Sequence, residues 1–177
     1  MSYYLISNHS SSNVPDMYVI ILRLLHIVGG VIWAGSGLFQ VLVLQPTARQ
    51  QAAGGGAFMK SLMSNPRMGQ LMGGSAIATL GSGLLLYWHD FGALVPSSGP
   101  MWGYAIGGLA AIVLWVIALA VTIPMGRRMG VLAERGANGE DVQAEINSIT
   151  RRQRSFGALG TFLMVTAVVL MAIARYL

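Results

Sequence analysis

Four uncharged runs set the pattern of this chain. Ile27–Ala48, Met68–Trp88, Met101–Gly126 and Ser155–Ala174 contain no Asp, Glu, Lys, Arg or His. Each is as long as the ~20 residues a helix needs to cross the hydrocarbon of a bilayer. The pattern predicts four spans, at about residues 17–45, 68–90, 101–129 and 150–176. Asp16 is placed to cap the first helix, and Pro46 is expected to end it. At 1.5 Å per residue that helix is roughly 43 Å long, so it must tilt or project beyond the hydrocarbon. Pro124 predicts a kink near the inner end of the third. The connections are short, which predicts an all-α membrane protein built as a four-helix antiparallel, up-down bundle.

Two shorter stretches add detail. Phe58–Met63 has the character of one helical turn at the membrane surface. In Asn138–Arg154, acidic Glu140 and Asp141 come first and three arginines last, which suits a helix dipole. Val142, Ile146 and Ile149 form one apolar stripe there. This predicts an amphipathic cytoplasmic helix over about 138–154, continuous with the fourth span, its stripe covering a partner surface. Residues 1–16 read as an external polar tail without the basic region of a cleavable signal peptide.

Charge orients the spans. Nine of the eleven Lys and Arg residues lie in the connections after spans one and three, and none lies between spans two and three. The positive-inside rule puts both basic connections in the cytoplasm and both termini outside. The formal charge of +5 is therefore a topology signal with a secondary attraction to anionic lipid headgroups, and nucleic acid is not an expected partner. Charged residues are only 10% of the chain, against ~25% in soluble domains. With no Cys, disulfides, thiolate zinc sites and iron–sulfur clusters are excluded. No acidic residue lies within a span, which argues against a proton-coupled transporter. No nucleophile–base pair, phosphate loop or carboxylate dyad is visible, so an enzyme acting on its own is not expected.

Ionisable groups inside a span are costly, which singles out Arg23 and His26. With Gly30, Trp33, Gly37 and Gln40 they fall on a stripe about 100° wide, expected to face the bundle, while Leu22, Leu25, Val28, Ile32 and Leu42 lie mostly elsewhere. Two readings are open. In one, His26 is an axial haem ligand, Arg23 pairs a propionate and Gly30 leaves room for a flat ring. In the other, His26 makes an interhelical hydrogen bond and Arg23 snorkels to the headgroups. His89, beside Asp90, is either a second ligand, part of a surface metal site, or an interfacial residue of the Tyr87-Trp88-His89 belt. His9 reads as a tail residue without a role. The methionines are scattered and read as core filling rather than copper ligands. Gly69/Gly73, Gly103/Gly107 and Gly107/Ala111 have the spacing of close helix contacts.

Arg23-Leu-Leu-His26 followed by Ile32-Trp33-Ala-Gly35-Ser-Gly37 resembles the opening of a superfamily of small bacterial membrane proteins. It includes the copper-resistance protein D membrane domain, the four-helix protoporphyrinogen oxidase and a branch of predicted integral membrane proteins. Gly83–Trp88, Trp102-Gly103 and Ala174–Leu177 extend the likeness over nearly the whole chain from Met17. The resemblance implies a multi-pass protein of the bacterial inner membrane whose first-span His26 ligates haem b, serving membrane redox chemistry. The third-span Lys of the oxidase branch has no counterpart in Trp102–Gly107, and the copper proteins' outer Met/His clusters are missing. Haem-linked electron transfer and a non-catalytic subunit, working as a homo-oligomer or in a larger membrane complex, are the two functions that follow.

Overall fold

A computed structural model describes residues 17–51, 55–92 and 95–177. The tail before Met17, with His9 and the expected Asp16 cap, lies outside the described residues. Every described element is helical. Four helices are long and apolar enough to cross a membrane: α1 (Met17–Gln50), α3 (Pro66–Phe91), α4 (Gly99–Ala137) and α5 (Gln143–Tyr176). The short helix α2 (Gly55–Ser64) contains the segment expected to form a surface turn.

Pro46 does not end α1. The helix widens into a π-helical turn at Gln40–Leu44, where the Gln45 N–H bonds the Gln40 carbonyl, and then runs through Pro46 to Gln50. A proline ring normally collides with the carbonyl four residues back, and a wider turn relieves that clash. The same device recurs in α4, where a π turn at Ala118–Thr122 precedes Pro124. At α3, Asn65 accepts a hydrogen bond from the Arg67 N–H, Pro66 opens the first turn, and Gly92 closes the last at φ 62°.

The long helices contact each other chiefly in two pairs, α1 with α3 and α4 with α5, and contact between the pairs is sparser. Both pair along small residues. A Cβ added to Gly103 would lie 2.8 Å from the Ala174 Cβ, and one added to Gly107 would lie 3.3 Å from the Ala167 carbonyl oxygen. In lipid no hydrophobic force drives helices together, so such close approaches supply the dispersion contacts that do. One core cluster draws on all four long helices: Trp33, Ala76, Ala110, Ala111, Met164 and Ala167. Trp33 and Met164 fill the space between alanine faces. Gly69 and Gly73 have open space beside them, so that pair serves no contact within the chain.

Beyond the apolar runs, α4 and α5 continue as a hairpin. Helix α4 reaches Ala137 rather than stopping near Met129, and α5 begins at Gln143. Residues 138–142, expected to be helical, form the turn, with Gly139 at φ 89°. The apolar stripe is not left for a partner. Val142 and Ile149 bury against Leu132 of α4, with Ile146, Met125 and Met129 packed around them. The stripe and the C-terminal part of α4 were each half of one small core. Arg135 closes its end by donating to Glu140 at 2.7 Å, a hydrogen bond that holds the exposed guanidinium above its ordinary pKa.

Candidate functional site

Helix α1 packs chiefly on α3, and its buried positions are Val19, Leu22, Gly29 and Trp33. These positions, with His26 between them, follow a 3–4–3–4 spacing, the seam of two helices packed at a small angle. The expected stripe was therefore turned by about 30°, roughly a third of the 100° between successive residues. His26, Gly30, Trp33 and Gly37 lie at or beside the seam, but Arg23 is exposed and Leu22 is buried.

The facing side of α3 presents Ser75, Thr79 and Ser82, the buried polar residues of the described chain, with Ala76 and Gly83. Hydroxyls inside a helix pair are affordable only when bonded. Thr79 Oγ1 donates to the Ser75 carbonyl at 2.7 Å, and Ser75 Oγ to the Met72 carbonyl at 3.1 Å. Ser82 Oγ donates to the Ala78 carbonyl and lies 3.3 Å from the Thr79 carbonyl. None of the three needs a partner from α1.

His26 is half-buried on this seam, and its Nδ1 lies 2.8 Å from the Thr79 carbonyl oxygen. A carbonyl only accepts, so Nδ1 carries the proton and donates. The other ring nitrogen, Nε2, has no hydrogen-bond partner among the described residues, and in the neutral ring it carries the lone pair. Gly83 makes this placement possible: a Cβ there would stand 2.7 Å from Cε1 and 2.9 Å from Nδ1 of His26. Gly29 does the same one turn on, where a Cβ would meet Thr79 Oγ1 at 2.7 Å. Beside Gly30, the Thr79 methyl lies 3.7 Å from an added Cβ, so the neighbouring helix already occupies that side.

The other candidates lie apart. His89 is exposed and bonds the adjacent Asp90 through Nδ1 at 3.0 Å. It follows Gly83 by six residues, hence ~9 Å further along α3 than the contact between His26 and Gly83. Trp88 and Trp102 are exposed near the same end, as an interfacial belt requires. No group of three or more His, Cys, Asp or Glu able to hold a metal ion occurs among the described residues. For haem, the donor chemistry of His26 fits one axial position. A protonated Nδ1 held by a carbonyl with a bare Nε2 is the usual state of a ligating histidine.

Gly29, Thr79, Ser82 and Gly83 were missed as parts of this site. On α3 the signal was the row of hydroxyl residues Ser75, Thr79 and Ser82 at i, i+4 and i+7, with Gly83 beside it, but nothing local to α3 pointed to His26. No protein-family model matches the chain, and no curated protein or solved structure is significantly similar to it.

Proposed function

We propose that this protein is a multi-pass membrane bundle that works as a non-catalytic subunit, in a homo-oligomer or a larger membrane complex. The four spans run antiparallel, up and down, in a bacterial inner membrane, with both termini outside and the α4–α5 hairpin in the cytoplasm. The observation that carries the reading is the His26–Thr79 hydrogen bond. It engages the one deeply placed imidazole as an interhelical lock between α1 and α3. The seam around it is closed by small residues, and the bonded hydroxyls of α3 are satisfied within their own helix.

A second reading, haem b binding for membrane redox chemistry, has its own support in the free Nε2 of His26 and in the first-span motif. Haem would supply one-electron transfer. In this reading His26 is the iron ligand, and Thr79 fixes its tautomer and ring plane. Arg23 would pair a propionate, Trp33 would border the ring, Gly30 would do so only with the Thr79 methyl displaced, and His89 is the candidate for a second ligand. The absorption spectrum of the detergent-purified protein decides between the two. A colourless protein supports the subunit reading. A Soret band that His26→Ala abolishes would overturn it in favour of haem.

A further inference from the structure

We propose that the arginine layer at the inner end of α4 and α5 binds the phosphodiester headgroup of an anionic phospholipid, in a pocket flanked by Arg128 and Arg152. The pocket, of about 230 Å³, is lined by Arg128, Glu145, Ser148, Ile149 and Arg152. At ~30 Å³ per water it has room for several waters, and so for a phosphate with its ester oxygens.

Two observations make this layer unlike the rest of the hairpin. The first is charge balance. Arg127, Arg128, Arg151, Arg152 and Arg154 crowd this end of the hairpin, and of these only Arg128 has a carboxylate within 4 Å among the described residues, that of Glu145. Glu145 is divided between Arg128 at 3.9 Å and Arg135 at 3.7 Å. Arg127, Arg151, Arg152 and Arg154 have no ion pair among the described residues. Further from the membrane the charges are matched: Lys60 with Glu134 at 3.3 Å, and Arg135 with Glu140 at 2.7 Å. The hairpin neutralises its tip and leaves its base positive.

The second is height. Arg128 stands two residues beyond Gly126, the last residue of one uncharged run. Arg152 stands three residues before Ser155, the first of another. At 1.5 Å per residue both lie within ~5 Å of those boundaries. Contacts higher up, Gly160 against Leu114 and Gly107 against Ala167, hold α4 and α5 in the register that brings the two arginines to one pocket. Lipid phosphates occupy this depth. Two guanidiniums can grip their oxygens in bidentate fashion. Ser148 already gives its proton to the Glu145 carbonyl and Ile149 is buried against Leu132, so the two arginines carry the site. A free phosphate would gain the same charges but would have no use for the position, so we commit to a lipid.

The site rests on the bilayer placement proposed above. The test is native mass spectrometry of the full chain in a neutral detergent, titrated with phosphatidylglycerol, phosphatidylcholine or inorganic phosphate. Phosphatidylglycerol should be retained preferentially. Removing two near-surface charges in R128Q/R152Q should weaken that retention roughly 30-fold, while R175Q, at the opposite end, should leave it unchanged. Glu145→Gln removes the competing carboxylate and should strengthen retention, a gain that misfolding cannot mimic and that keeps the test decisive if the double variant is unstable. Equal retention of both lipids, no gain in Glu145→Gln, or full displacement by equimolar inorganic phosphate would each overturn the site. A chain that washed off membranes in carbonate would instead defeat the bilayer placement.

Discussion

Gly83→Ala tests the His26 seam with a single methyl group. The added Cβ would stand 2.7 Å from Cε1 and 2.9 Å from Nδ1 of His26. Carbon atoms at rest keep ~3.5–4.0 Å apart, so the imidazole must turn or α1 must move back. Turning the ring breaks the bond to Thr79, and interhelical hydrogen bonds in membranes contribute ~0.6 kcal/mol, up to about 1.7. Overpacking a fitted seam adds ~1–3 kcal/mol. Against this, Ala is intrinsically better than Gly inside a helix by ~0.5–1 kcal/mol. The balance is a net loss of about 1–3 kcal/mol. Gly81→Ala is the internal reference: it lies on the same helix with nothing within 4 Å of its added Cβ, so only the propensity gain applies. Thermal unfolding of both variants in one detergent, followed by circular dichroism, gives the comparison. Gly81→Ala should match or exceed wild type and Gly83→Ala should fall clearly below it. If Gly83→Ala proved as stable as Gly81→Ala, the close packing of His26 against α3 would be refuted.

Three further outcomes follow from the same structure. Gly103→Leu should cost more than Gly83→Ala, because its Cβ meets the Ala174 backbone at 2.9 Å and backbone cannot rotate away; equal unfolding temperatures for the two would contradict this. Leu132→Ala should cost ~2–5 kcal/mol of hairpin stability, since Leu132 is only 2% exposed at the centre of the hairpin core. Amide exchange should then rise across 143–149 while the spans stay protected; unchanged exchange there would count against that core. Both termini outside predicts that a reporter fused after Leu177 is active only on the outer side, and cytoplasmic activity would reverse the orientation.

The four membrane-length helices were legible from uncharged runs alone, because the cost of a charge in hydrocarbon leaves its mark residue by residue. His26 was also marked this way, as a polar group in an apolar run. Helix ends were less legible. Pro46 was expected to stop its helix and Pro124 to kink one; a π turn precedes each, and both helices continue beyond the proline. The stripe at Val142, Ile146 and Ile149 was read correctly as apolar but assigned to a partner, since the extension of α4 that covers it carries an equally incomplete pattern. Two half-cores become one only when the turn at Gly139 folds them together. The seam partners of His26 were beyond sequence reach for a related reason. A hydrogen bond to the Thr79 carbonyl uses backbone, which every residue has, and Gly83 matters only for the atom it lacks. What belongs in a membrane is a sum over each residue's own solvation, so the chain alone determines it. Which faces meet depends on the shape two helices make together, and only the tertiary structure decides that.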